Sequence, residues 1–400
     1  MVKKTTATSE TYVVISIGSR FLRVGLSNGT EPIIHHYPTR GTSDNVIESH
    51  MFDLNNNVGL TISQKRQLQS NLIINENKYK KFHKLNQKQN YKYVCVDSFG
   101  GLSISDENTI HQLLFDIFSV ELMINPKRYK VLVVDNRLSA VHKLQISKIL
   151  LEKFQFKSLV FVPEPQMSVI SSGQRNGLVI DFGWNSVKVH PIYDFRSVMK
   201  SESWEDKLIS GRSLHLKMTE YLSGLNDPQI DQLLQGPDSF EFIENLIMKY
   251  CYVRRKETIS DDSSQFEIME GVSIPNSFRY EIIESLYINE ILFDAVSQII
   301  NNLDIHIRRE VIENLILVGG ISNIPGFKLR MIEEFDTKSN EYKVASNSCL
   351  GSWTGASIYS NLLQQQQQQT TKLEITKHDL NSITSSTGFK LFSFSNHFKS

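Results

Sequence analysis

The sequence predicts an α/β molecule of two lobes related by internal duplication, and three observations carry that prediction. A glycine-jointed pair of β-rich runs at Tyr12–Gly29 returns at Gly177–Tyr193. Helical spacing and short apolar runs alternate between them, which is α/β grammar. A third apolar run from Glu313 ends in Gly319-Gly320 and leads into a helix-like segment with Pro325 near its start, where proline suits a first helical turn. At 400 residues the chain is long enough for two to three domains with sizeable cores.

In chain order, the first hairpin joins its β-branched runs across Gly18 and Ser19. Residues 38–92 then turn rich in Asn, Gln, Lys and Ser and end in a basic run, Lys78 to Lys92. This reads as a solvated insertion; a nucleic-acid patch is the alternative, diluted by its amides. Order resumes at Val94. Glu107 to Val120 carries Ile110, Leu113, Leu114 and Ile117 at helical spacing, Tyr129 to Val134 reads as a buried strand, and Val141 to Phe154 as a second amphipathic helix. The second hairpin turns at Gly183 to Asn185. Residues 207–256 and 279–302 read as mainly helical, broken at 224–228 and separated by the acidic stretch Ser260 to Gln265. The six-Gln run, Gln364 to Gln369, reads as a surface insertion because it buries no apolar area.

Lys plus Arg and Asp plus Glu both number 43, so no net field draws the chain to nucleic acid or an anionic membrane. Cys95, Cys251 and Cys349 are scattered and too few for a disulfide framework or a Cys-rich zinc site. The N-terminal residues lack the apolar core of a signal peptide, and no stretch approaches a membrane span. The expectation is a cytoplasmic protein without nucleic-acid binding or membrane insertion.

Glycine turns bring backbone N–H groups near phosphate oxygens, and helix N-termini favour anions. Each turn alone is an ordinary structural turn; their order suggests a nucleotide cleft. Together the segments resemble the actin family. Leu315-Ile-Leu-Val-Gly-Gly-Ile-Ser-Asn-Ile-Pro-Gly326 resembles its glycine-pair element, Ile274-Pro-Asn-Ser-Phe-Arg-Tyr-Glu281 and Trp353-Thr-Gly-Ala-Ser-Ile358 two further motifs, and Ile209-Ser-Gly-Arg212 and Lys249-Tyr-Cys-Tyr-Val253 two shorter ones. Lys372 to Leu380 resembles the family's C-terminal segment. The resemblance implies a ribonuclease-H-like duplicated fold around a central nucleotide cleft. It divides the chain into a first lobe core (1–37, 93–171 and 351–400), the 38–92 insertion as its small subdomain, a second lobe core (172–209 and 291–350) and a mostly helical subdomain (210–290).

The resemblance also implies ATP or ADP with Mg²⁺ as ligand, at Ser16, Gly18, Ser19, Arg23, Asp181, Gly183, Gly211, Gly319 and Gly320, with Asp181 beside the metal. Several positions depart from the family pattern. Ser16 stands where actins carry a metal-side aspartate, which weakens a site for a hard cation. Arg20 replaces a turn glycine, Arg23 a lysine, and Trp184-Asn185 an Asp-Gly pair. Glu164 and Lys188 replace the glutamine and histidine near the attacking water; they suit an ion pair, or Glu164 a base. Ile247-Met248 replace a Lys-Glu pair on the adenosine side, and Ile321 and Ile324 replace a threonine and a tyrosine; all four read as ordinary core. Asp181 is otherwise a simple turn residue.

Within the family, Val133-Val-Asp-Asn-Arg137 and Asp181-Phe-Gly-Trp184 followed by His190-Pro-Ile-Tyr193 are most similar to the class of actin-related protein 10, called actin-related protein 11 in dynactin. That class implies a non-motor cap on the pointed end of dynactin's filament, touching actin-related protein 1 and small pointed-end subunits, with static nucleotide or none. An active actin-fold ATPase and a nuclear subunit of a chromatin-remodelling complex are the alternatives.

Overall fold

The computed structural model describes residues 11–36, 104–198, 204–338, 344–365 and 374–383, apart from residues 28, 30, 137, 139, 236–238, 258–263 and 270. The 38–92 insertion, Cys95, most of the acidic stretch after Ser260 and Gln366 to Gln369 lie outside the described residues.

Two sheets share one plan. In the first, β1 (Tyr12–Ile17) pairs antiparallel with β2 (Phe21–Leu26), and β2 with β3 (Ile33–His36). On its other side β1 runs parallel to β4 (Lys130–Asp135), and β4 to β5 (Leu159–Pro163), giving the order β3-β2-β1-β4-β5. The second sheet repeats this. β6 (Gly177–Phe182) pairs antiparallel with β7 (Val187–Tyr193), while β12 (Asn314–Val318) and β13 (Ala345–Ser346) extend it in parallel. Short strands β8 (Arg196–Ser197) and β9 (Trp204–Asp206) both pair with β7. The duplication read from the two hairpins therefore extends to the parallel strands beside them.

Parallel strands are buried on both faces and read as continuous apolar runs. Every residue of β1 is buried. Val13, Ile15 and Ile17 join one core with α1 (Ile104–Asp116) and α2 (Ala140–Lys148), whereas Tyr12 and Val14 join another that holds Met167 of α3 (Glu164–Ser171) and Trp353 of α11 (Ser352–Gln365). Both α1 and α2 continue into a wide turn, at Ile117–Glu121 and Ile149–Lys153, closed by i to i+5 bonds, so the two expected helices are present but loosened at their ends. α3 and α11 approach so closely that a Cβ on Gly355 would overlap the Met167 carbonyl oxygen at 1.8 Å. Only glycine fits there.

The second sheet is covered by α8 (Glu290–Asn301), α9 (Ile305–Ile312) and α10 (Phe327–Lys338). A helical layer of α4 (Gly211–Gly224), α5 (Pro228–Gln235), α6 (Ser239–Tyr250) and α7 (Phe278–Tyr287) shares its core. Between α6 and α7 lies a hairpin absent from the sequence reading, β10 (Gln265–Met269) with β11 (Val272–Pro275). A last helix, α12 (Lys377–Ile383), packs near α2.

Candidate functional site

The tips of the two duplicated hairpins meet at a cleft between the sheets, lined by Ile17, Ser19, Asn136, Asp181, Trp184 and Lys188 among others. Each tip is closed by its own backbone: Gly18 N–H donates to the Phe21 carbonyl and Gly183 N–H to that of Ser186, both at 3.0 Å. The start of α4 is tied to the second tip, where Gly211 N–H donates to the Gly183 carbonyl at 3.0 Å and Arg212 N–H to that of Trp184 at 2.9 Å. A side chain on Gly211 would press on the Trp184 indole at 3.2 Å.

Cross-strand register sets the charges. Ser16 faces Arg23 across β1–β2, and Asp181 faces Lys188 across β6–β7, at equivalent places in the duplication. Lys188 is buried and its Nζ donates to Asn136 Oδ1 at 2.6 Å, reaching from the second sheet to the end of β4 in the first. Glu164 opens α3 and accepts a hydrogen bond from Ser352 Oγ at 3.1 Å. Burial and the Asp181 charge push its carboxyl up to about 7, against the pull of Lys188, Ser352 and Arg23. Burial also raises Asp181, with Glu205 adding to the rise and Lys188 and Arg23 opposing it. Asp181 lines the cleft, and both residues are partly exposed.

Behind them β12 ends in Gly319, whose φ is +94° and whose Cβ would stand 2.1 Å from the Phe182 carbonyl oxygen and 2.9 Å from Asp181 Oδ1. Glycine is required at that crossing of strands. Gly320 has no such neighbour: a Cβ there would meet nothing within 4 Å.

Direct side-chain bonds close the cleft. Besides Lys188–Asn136, Asn185 Nδ2 donates to Ser19 Oγ at 3.1 Å, and Arg20 Nη1 to Glu244 Oε1 of α6 at 2.7 Å. The space left for water-sized occupants at the lined cleft is about 30 Å³.

Ser19, Asp181, Gly183 and Lys188 thus line one cleft, with Arg23 and Glu164 acting on it electrostatically and Gly18, Gly211 and Gly319 shaping its walls. Ile247, Ile321 and Ile324 are buried in the second core as expected, but Met248 is exposed, because it falls on the helix face away from that core. Sequence reasoning missed Asn136 as the lysine's acceptor, Ser352 as the Glu164 donor, and Phe240, Glu244 and His215 beside Arg20. Phe240 and Glu244 stand four apart on one helix, a spacing that marks a shared face; His215 carries no local signal.

A duplicated hairpin-and-parallel-strand sheet, with the two hairpin tips facing across a cleft, defines the two-lobed class of actin-like folds. The family model described as Actin matches residues 7–385, and the chain belongs to the actin family. It is 24% identical over 282 residues to actin-like protein 7A of Homo sapiens, covering 65% of this chain and 62% of that protein. It is 25% identical over 294 residues to putative actin-29 of Dictyostelium discoideum, covering 67% of this chain and 74% of that protein. The chain therefore spans less than two thirds of the human relative's length.

Family members typically bind ATP or ADP with Mg²⁺. The residues here do not fit that ligand in the arrangement observed. Ser16 offers no anionic oxygen, and the Arg20 guanidinium lies 4.9 Å from the Trp184 ring centre between the hairpin tips.

Proposed function

We propose that this chain is a non-motor, structural actin-related subunit that caps the pointed end of the dynactin actin-like filament and so supports dynein-based transport along microtubules. The observation that carries the reading is the cleft: side chains bond across it where the family places nucleotide. A subunit that serves by position needs a fixed shape, and a cleft closed by its own residues supplies one. The motif likeness around Val133 and Asp181 supports the pointed-end class, which would bring actin-related protein 1 and the small pointed-end subunits as partners and the cytoskeleton of the cytoplasm as its location. The 38–92 insertion is rich in Asn, Gln and Lys, a composition that suits a terminal position better than docking of a further subunit.

On this reading nucleotide is static or absent and the chain does not work as an ATPase. One observation favours the alternative of an active site: the Glu164 carboxyl, pushed up to about 7 chiefly by burial, is suited to proton transfer at neutral pH. Native-salt affinity purification, followed by nucleotide extraction and single-turnover hydrolysis, decides. Recovery with dynactin subunits and no rapid phosphate release is the expected result. Recovery with chromatin-remodelling subunits, or stoichiometric ATP turned over quickly, overturns the proposal.

A further inference from the structure

We propose that Arg20 is the internal ligand of an interlobe clasp, a cage of Trp184, Phe240, His215 and Glu244 that holds the cleft shut without nucleotide. The guanidinium lies 4.9 Å from the Trp184 ring centre and 4.5 Å from that of Phe240, with Phe21 of its own hairpin at 5.2 Å. Its Nη1 donates to Glu244 Oε1 at 2.7 Å, and His215 Nε2 donates to Glu244 Oε2 at 2.6 Å. The cage walls brace one another: His215 stacks on Phe240 at 4.6 Å and 19°, and the Trp184 ring meets both edge-on.

The parts come from two hairpin turns and two helices. Arg20 sits in the tight β1–β2 turn, Trp184 in the β6–β7 turn, His215 on α4, and Phe240 and Glu244 one turn apart on α6. The site contacts one hairpin from each half of the duplication, so occupying it couples the halves directly. The Arg20 and Glu244 side chains are only 14% and 30% exposed, which strengthens their pairing relative to one in open water. A flat guanidinium can stack between rings while its edge bonds a carboxylate, a geometry that an ammonium does not reproduce. Because the ligand is tethered, it acts at a fixed, high effective concentration and is never diluted away. Asn185–Ser19 and Lys188–Asn136 add two more bonds across the same gap. A bridging nucleotide is thereby replaced by the chain itself, irrespective of where in an assembly the subunit sits.

The test is backbone hydrogen exchange at the two hairpin turns of the purified full chain, before and after EDTA and with Mg-ATP restored, in the native protein and in Arg20→Ala and Glu244→Gln. Native protection should change less than about twofold with EDTA or Mg-ATP. Arg20→Ala should speed exchange at both turns at least tenfold, and Glu244→Gln in the same direction by a smaller factor, with far-ultraviolet circular dichroism unchanged. The clasp is refuted if EDTA alone opens the native protein as far as Arg20→Ala does, or if Arg20→Ala leaves both turns protected. Should Arg20→Ala fail to fold, Glu244→Gln decides: unchanged exchange in that variant overturns the proposal.

Discussion

Glu164 and Glu244 show how one residue type acquires opposite behaviour from its surroundings. Burial and the neighbouring Asp181 raise Glu164 from 4.5 to about 7, so its neutral form is the one the fold favours. Below pH 4.5 the group is neutral whether the chain is folded or not. As pH rises through 7, folding must accommodate a buried charge, at a cost of at most about 3 kcal/mol. Glu164→Gln should therefore stabilise the protein at pH 8 and leave it unchanged at pH 4, as read by chemical denaturation at both pH values; equal stabilisation at both would mean that packing, not charge, is responsible. Glu244 runs the other way. Burial alone would raise it, but His215 and Arg20 outweigh that and hold it at about 2, so its contribution is present above pH 4.5 and lost as pH falls toward 2. Burial lowers His215, with its hydrogen bond to Glu244 opposing.

Among the elements, the turn after β12 separates two glycines that look identical in sequence. Gly319 needs positive φ and lies against the Phe182 backbone, whereas Gly320 has a helical φ of −60° and open space around it. Gly319→Ala should cost about 2–4 kcal/mol through strain and overlap. Gly320→Ala should be neutral or stabilising by up to about 1 kcal/mol, because alanine lowers only the freedom of the unfolded chain. Thermal unfolding of the two variants side by side checks this; equal losses would refute the crossing geometry. The hairpins were legible because alternation and β-branched content report strands locally. β10 and β11 were not, since β10 has no fully buried residue, β11 is only four residues long with just Val272 and Ile274 turned inward, and the stretch before them is polar. The wide turns ending α1 and α2 were also invisible, because helical spacing looks the same whether the last turn closes at i+4 or i+5.

At the scale of the whole molecule, the proposed clasp would remove the nucleotide-dependent switch that lets a filament subunit cycle. The purified chain should not assemble with itself: in sedimentation it should remain in the supernatant with and without Mg-ATP. ATP-dependent pelleting would count against both the terminal position and a fixed shape. No described helix is long and apolar enough to cross a membrane, and the described residues hold no cluster of three or more His, Cys, Asp or Glu side chains placed for a metal.

By itself the sequence determined the duplicated hairpins, the glycine-pair strand, the family and the positions at which the expected phosphate and metal groups are altered, because all of these rest on local pattern and motif order. It showed that Arg20 and Trp184 were out of place; it did not show that they meet. Tertiary structure alone decided that Arg20 reaches Glu244, 224 positions along the chain, and that Lys188 crosses to Asn136. Such pairings depend on how two separately encoded sheets are brought face to face, and residue spacing carries no record of that distance.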